Sequence, residues 1–311
     1  MDLEVIEVGE AGLPRLVRVV NDVRPSERGT VGGFLDWRRQ AAETTWLLAR
    51  SGNEDVGCGI GVHGWHSPPE VARTLAFVPS ALRGRGIGTA LVAGLDLWAA
   101  RHGARRVEGT VEEDDPRSAA WLTSRGYVEV GRNSTLLLDL TRLDAPDVEP
   151  PRGIEIVTWA ERPELAEAMY AVALQASADI PGEEDAESAS FEAWLENDMK
   201  GAGDLPEATF VALAGGDVVG FAKLSLSPDD RERAFHDLTG VLRDWRGRGI
   251  AGALKRAEIA WAKQAGYTHL ETWNEVRNTP IRILNERHGY VKQPGRITVR
   301  RELAVPLSGE L

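Results

Sequence analysis

Two stretches of the chain are near copies of each other. Arg83-Gly84-Arg85-Gly86-Ile87-Gly88-Thr89-Ala90-Leu91 recurs as Arg246-Gly247-Arg248-Gly249-Ile250-Ala251-Gly252-Ala253-Leu254, at an offset of 246 − 83 = 163. At that offset Val78 falls on Val241, Trp98 on Trp261, Gly103 on Gly266, Gly126 on Gly289 and Tyr127 on Tyr290. One ungapped offset held this far marks an internal duplication, so whatever architecture the chain adopts, it adopts twice. A length of 311 residues gives each copy room for its own core. The run 144–153, with three prolines and no apolar period, reads as the linker between a first domain, 1–143, and a second, 154–311.

The repeated stretch also carries chemistry. An apolar segment ending at Val241 leads into a turn of arginines and glycines, then into strong helix formers (Ala251, Ala253, Leu254, Lys255, Ala257). A glycine-bearing turn that opens a helix is an anion site: glycine lets the backbone approach, the first helical N–H groups lack internal partners, and the dipole adds positive charge. Arg246 and Arg248 add full charges suited to a pyrophosphate.

Around the two turns the pattern mixes hairpins with a strand–turn–helix–strand unit. In the first half, strands are expected near the N-terminus and over 45–50, 56–63, 71–78 and 105–111, with a closing pair over 127–130 and 136–140. Helices are expected over 14–20, 33–42, 88–102 and 116–124. The second half repeats the order, with strands over 154–158, 209–213, 218–226, 233–241, 268–273 and 296–304 and helices over 163–174, 191–199, 251–265 and 280–287. The fold class is therefore α/β, a twisted mixed sheet flanked by helices in each half.

Composition narrows the function. With 36 basic and 48 acidic residues, net −12, a nucleic-acid partner is disfavoured despite the local arginines. A cationic substrate would suit this charge, although acidity also simply keeps proteins in solution. The single cysteine, Cys58, rules out an internal disulfide and reads as core. His63 and His66 lack a third ligand at metal spacing, so no metal is expected. No apolar run is long enough for a membrane span and the N-terminus does not resemble a signal peptide, so a cytoplasmic protein, monomer or homodimer, is expected.

With these residues laid out, each half resembles a GNAT acyl-CoA-dependent N-acetyltransferase domain. The family's Arg/Gln-x-x-Gly-x-Gly/Ala pattern is met by Arg246-x-x-Gly249-x-Ala251 and by Arg83-x-x-Gly86-x-Gly88. Its second block is met in part by Asn278, Leu284, Gly289 and Tyr290, with Ile281 replacing an alanine and Asn285 a tyrosine. Thr239-Gly240-Val241 with Asn274, Asn278 and Asn285 is similar to a branch that includes mycothiol synthase-like and antibiotic-acetylating tandem proteins. The resemblance implies acetyl-CoA as acyl donor and a gap between the fourth and fifth strands of each half for its pantetheine arm. It assigns Thr239, Gly240 and Val241 to pantetheine, Arg246, Gly247, Arg248, Gly249, Ile250 and Ala251 to pyrophosphate, and Asn274 and Asn278 to the same site. In the first half the corresponding residues are Ala76, Phe77 and Val78, then Arg83, Gly84, Arg85, Gly86, Ile87 and Gly88.

The implied reaction is direct attack of a small-molecule amine on the thioester, with a base taking the proton and a backbone N–H near Val241 stabilising the oxyanion. Strand alternation puts Asp237 on one face with Thr239 and Val241 and His236 on the other, so Asp237 is the first candidate base and His236 the second. The tyrosine that serves many GNAT enzymes as acid is replaced by Asn285 and by Leu122. Asn285 can still donate to the sulfur and Leu122 cannot, while Asp115 puts a carboxylate where the motif has asparagine. The second half is therefore expected to be catalytic and the first structural or unproductive. The acceptor is expected near Trp194 and the acidic tract Glu183 to Asp185. Two rivals stand beside this. One is a non-catalytic acyl-CoA-binding module. The other is a dinucleotide-binding oxidoreductase built on Gly247-x-Gly249-x-x-Gly252 with Glu271, weakened because the strand stops well before Gly247.

Overall fold

The computed structural model describes residues 2–25, 29–64, 67–181, 189–201, 203–227 and 230–303. Trp65, His66, the tract Glu183 to Asp185 and Ala304 lie outside them.

The chain forms two compact units, Met1–Val130 with Ile297–Leu311, and Gly131–Arg296. These are not the linear halves 1–143 and 154–311. The reason is strand exchange. The expected closing pair in the first half is one long strand, β6 (Val128–Asp139), and most of it pairs antiparallel with β11 (His269–Glu275) of the second unit, from Asp139↔His269 to Asn133↔Glu275. The last strand, β12 (Val291–Glu302), sends its second half to the first unit beside β5 (Arg106–Glu112). There Leu303 N donates to Arg105 O (2.8 Å), Val299 packs with Ala72, Val107 and Tyr127, and Arg300 pairs with Glu108.

In the first unit β1 (Glu4–Glu7), β2 (Glu43–Ser51), β3 (Glu54–His63) and β4 (Val71–Phe77) follow one another antiparallel, and β5 joins β4 in parallel. The runs in β2 and β3 are apolar on both faces because both faces are covered. Trp46, Leu48, Cys58 and Ile60 meet α1 (Leu13–Val23) and α2 (Val31–Gln40) through Leu16 and Phe34. Leu47, Ala49 and Val56 meet α3 (Ile87–Arg101) through Ile87, Leu91 and Leu95. Helix α4 (Pro116–Thr123) starts on proline with Asp115 as N-cap, accepting from Ser118 N at 3.0 Å.

The second unit repeats this with β7 (Ile154–Thr158), β8 (Asp204–Ala214), β9 (Asp217–Ser227), β10 (Asp230–Val241) and β11, in the order β6-β11-β10-β9-β8-β7. Helices α5 (Ala166–Ser177) and α6 (Phe191–Asn197) cover one face, through Met169, Val172 and Trp194, and α7 (Ile250–Gln264) the other, through Ile250, Leu254 and Ala257. Helix α8 (Thr279–Arg287) matches α4.

The two copies repeat the same order of elements, and the difference that bears on the site lies in the strand before each turn. Strand β4 runs beside β3 in unbroken register from His63↔Ala72 to Cys58↔Phe77. Strand β10 carries a bulge between His236 and Thr239, where Asp237 and Leu238 together oppose one residue of β9. Before the bulge Arg233 pairs with His269 as Val71 pairs with Arg106, an offset of 233 − 71 = 162; after it the offset returns to 163. His236 is therefore the counterpart of Thr74. The bulge also corrects the facing of β10 expected from alternation. Asp237 does not share a face with Val241: Leu238 and Gly240 approach α5, Asp237 bonds Lys223 on that side, and Val241 packs on α7, the side of His236.

Candidate active site

Each unit has a split in its sheet where the resemblance places one. Strands β4 and β5 pair over Val71↔Arg106, Ala72↔Val107 and Arg73↔Glu108 and then diverge. Strands β10 and β11 do the same after Phe235↔Glu271. Beyond each split an Arg-Gly turn opens a helix: Gly86 (φ 85°) and Gly249 (φ 83°) are the N-caps of α3 and α7, in a left-handed conformation that favours glycine. Neither helix start receives a side-chain cap, so its first N–H groups point at the turn. Arg83 Nε donates to Val78 O (3.3 Å) and Arg246 Nε to Val241 O (2.9 Å), so the two arginines are set alike.

The surroundings of the two sites differ. In the first unit a cavity of about 290 Å³ occupies the split, between Thr74, Leu75, Ala76 and Phe77 on one strand and Gly109, Thr110, Val111 and Glu112 on the other. Val92, Leu95, Leu122 and Tyr127 form its apolar wall. A second cavity, about 320 Å³, lies over Gly84, Gly86, Ile87, Gly88 and Thr89. Both are lined by Val23, Ala76, Arg83, Ser118 and Trp121, so they form one groove from the cationic turn into the split.

Helix α4 and the turn that follows it supply groove residues that the sequence reading missed. Arg117, Trp121 and Arg125 line it; their spacing of four, one helical face, was the available signal. The Arg125 guanidinium lies 3.8 Å from the Trp121 ring centroid and donates to Thr89 Oγ1 at 2.9 Å, which fixes a cation beside the start of α3. Asp115 accepts from Arg83 Nη1 at 2.9 Å. Burial pushes its carboxyl up, but the bonds from Ser118 and Arg83 outweigh this and hold it below the usual range.

In the second unit the same positions are filled by larger, polar side chains. Thr74, Val92, Leu95, Gly109 and Leu122 correspond to His236, Lys255, Glu258, Thr272 and Asn285. All five are buried, and Lys255 is 1 % and Glu258 0 % exposed. His236 Nδ1 is 2.9 Å from Glu258 Oε2, its ring is 5.5 Å from that of Tyr290, and the Lys255 ammonium is 5.3 Å from the Tyr290 ring. Burial drives Lys255 down to about 8, lowers His236 despite Glu258, and raises Tyr290 well above its ordinary value. Asn285 Nδ2 is engaged by Asn274 Oδ1 at 2.6 Å. Over the turn, Arg246 pairs with Asp179 (2.6 Å), which also binds Arg243 and is held down to about 2 by these bonds, that of Arg243 first. A side chain added at Gly249 would come within 3.7 Å of Pro151 in the linker, whereas at Gly86 it would meet nothing within 4 Å.

The candidate catalytic residues are thus dispersed. His236 is enclosed against α7. Asp237 is half-exposed on the opposite face, bound to Lys223 (2.7 Å) and Ser225 (3.2 Å). Asn285 is in the core. Trp194, expected near an acceptor, packs with Tyr170, Phe191 and Phe221. His63 Nε2 lies on Pro69 O at 2.7 Å. Among the described residues no cluster has the make-up of a metal site, and no helix is long and apolar enough to cross a membrane. Glu271, required by a dinucleotide reading, is buried against Arg233 (2.7 Å), and a 3-10 turn, Arg243–Trp245, separates β10 from Gly247.

Comparison with known proteins agrees with this geometry. The acetyltransferase (GNAT) family model matches twice, over residues 15–127 and 167–290. Among curated proteins, L-2,4-diaminobutyric acid acetyltransferase of Nocardia farcinica is 32% identical over 118 residues, 38% of this chain and 60% of that protein. Among solved structures, a tandem GNAT protein from the clavulanic acid biosynthesis pathway has a TM-score of 0.79 at 19% identity, covering 97% of this chain and 99% of its own. A GCN5-related N-acetyltransferase from Sphaerobacter thermophilus has a TM-score of 0.78 at 20% identity, covering 97% and 96%. A mixed sheet split beside a glycine-arginine helix start, present twice and matched twice by one family model, makes the chain a tandem member of the GNAT acetyltransferase family.

Proposed function

We propose that the chain transfers acetyl from acetyl-CoA to a primary amine of a small molecule, at the groove of the first unit. The observation that carries this reading is the continuity of that groove, cationic over the Arg-Gly turn and apolar inside the split. The N–H groups at the start of α3, with Arg83, Arg117 and Arg125, suit the phosphates. The unpaired strand edges 74–77 and 109–112 offer backbone groups to the pantetheine amides. Bound there, acetyl-CoA supplies an activated thioester.

An alkyl amine has a pKa of about 10, so it must lose a proton before it attacks. Three carboxylates line the cavity, Glu112, Asp114 and Asp115. Asp115 is committed to the α4 cap and Arg83, and Glu112 to Arg24 (2.7 Å), which leaves Asp114 to draw in the ammonium and accept its proton, directly or through water. The similarity to a diaminobutyric acid acetyltransferase supports a small amine as acceptor.

A second reading puts the transfer in the second unit, with Asp237 as base and with Thr239, Gly240 and Val241 along the pantetheine. The β10 bulge favours it, because a bulge takes backbone N–H groups out of the ladder and frees them for an oxyanion. Turnover of acetyl-CoA with a panel of diamines, amino acids, aminoglycosides and peptide amino termini tests the enzyme reading. Tight binding of acetyl-CoA without turnover on any of them would replace it with that of a binding module.

A further inference from the structure

We infer that the second split is plugged: Lys255 and Glu258, with His236 and Asn285, fill the space that the pantetheine arm would need, so the chain takes one acyl-CoA instead of two. This inference rests on the proposal that the first groove is the acyl-CoA site.

Two independent observations carry it. The first is the substitution pattern within the duplication. The hollow of the first split exists because Thr74, Val92, Leu95, Gly109 and Leu122 are small or apolar and leave space around Tyr127. Their counterparts His236, Lys255, Glu258, Thr272 and Asn285 are all polar and all buried: His236, Lys255 and Glu258 gather around Tyr290, Thr272 Oγ1 donates to His236 O (3.3 Å), and Asn285 bonds Asn274. Helices α3 and α7 have the same length and the same offset from their turns, 87 to 101 against 250 to 264, so these side chains project from the same points of the frame. A cluster of this kind does not part readily. Withdrawing Lys255 or Glu258 would strand a buried charge, although neither the Glu258 oxygens nor the His236 nitrogens meet a well-aligned hydrogen-bond partner within the cluster.

The second observation is at the other end of the same path. The linker runs along α7, where Arg256 Nη2 donates to Glu149 O at 3.0 Å, and Pro151 comes over Gly249. Arg246, the cation that would meet a phosphate, is paired with Asp179, but Arg83 of the first unit is paired with Asp115 in the same way, so the ion pair does not tell the two sites apart. The thioester end is therefore filled by the chain itself and the phosphate end only screened, by one proline ring over Gly249 where Gly86 of the first unit is open; a side chain added at Gly247 would meet nothing within 4 Å.

Calorimetric titration of the full chain with CoA tests this. The wild-type protein is expected to bind one CoA per chain. Thr89→Asp, which puts a carboxylate among the first residues of α3, should abolish that binding, and Gly252→Asp, its counterpart in α7, should leave it unchanged. Lys255→Val/Glu258→Leu gives the second unit the residues of the first. Its stoichiometry should rise toward two, and Gly252→Asp in that background should return it to one. Adding His236→Thr provides a second version should the double variant fold poorly. Two CoA per wild-type chain would overturn the plug while leaving the first groove intact, and so would a folded double or triple variant that still binds one. Binding of one CoA that Gly252→Asp abolishes and Thr89→Asp spares would overturn both the plug and the assignment of the first groove. Acetyl transfer with one CoA bound at the first groove would persist in the double variant if these residues are a plug. Its loss in a folded protein would make them catalytic and overturn the inference.

Discussion

His236 Nδ1 lies 2.9 Å from Glu258 Oε2 at a place where the first unit sets Thr74 beside Leu95 at the edge of a cavity. One duplicated frame thus supports a hollow in one copy and a buried ionisable cluster in the other. The cluster gives stability a pH signature. Burial holds Lys255 at about 8 in the folded protein against 10.5 in the unfolded chain, so the unfolded state binds more protons between those values. Stability should therefore rise as pH goes from about 8 to 10.5, and the cost of burying the ammonium should be fully felt below 8. Denaturant unfolding of wild type and Lys255→Met checks this: removing the ammonium also leaves Glu258 without its neighbouring charge, but between pH 7 and 10.5 the wild type should gain on the order of 3 kcal/mol relative to the variant. A difference independent of pH would contradict it.

Asp115 sets a carboxylate against the arginine best placed for a phosphate. Asn278 stands at the equivalent point of the second unit. Asp115→Asn keeps an effective N-cap for α4 and removes the charge. The KM for acetyl-CoA should fall about threefold, the size expected of a partly exposed ion pair released to a ligand. Asp115→Ala should instead lose the cap, at about 1 kcal/mol of stability.

Cys58 is fully buried against Leu16 and its neighbours, and burial pushes its thiol well above the ordinary range. It should not react with a thiol reagent in the native protein and should react within minutes in denaturant. Rapid native labelling would show that the α1 face opens.

The exchange of β6 and β12 predicts that the halves do not stand alone. A fragment ending at residue 143 would lack Ile297 to Glu302 along β5, and a fragment starting at 154 would lack Leu136, Leu138 and Leu140 beside β11. Each leaves an apolar sheet edge uncovered, so each should aggregate when expressed by itself, and coexpression should recover soluble protein.

Much of this was legible in the sequence because it is local. The glycine-arginine turns, the helices behind them and the hairpins at Ser51–Glu54 and Ala214–Asp217 follow from propensity and turn chemistry, and they recur at one offset. The β10 bulge was not legible: a single inserted residue shifts the offset from 163 to 162 only upstream of it, where the two copies share little sequence, and it reverses which residues Asp237 accompanies. The strand exchange was not legible either, since pairing between Leu138 and Leu270 leaves no trace in the pattern of either segment. The contrast of Lys255 and Glu258 with Val92 and Leu95 stood in the aligned copies, but its meaning depends on which helix face meets the split, and that is a tertiary fact.

The most direct test of the central claim is the rate of acetyl transfer in Thr89→Asp compared with Gly252→Asp, using whichever amine of the panel turns over. A carboxylate near the start of a helix is tolerated by the fold but repels a pyrophosphate. The account predicts that Thr89→Asp lowers kcat/KM for acetyl-CoA at least about 100-fold, or roughly 2.7 kcal/mol, and that Gly252→Asp changes it by less than about threefold. The reverse pattern, with the loss at Gly252 and a working enzyme at Thr89, would contradict it and move the chemistry to the second unit.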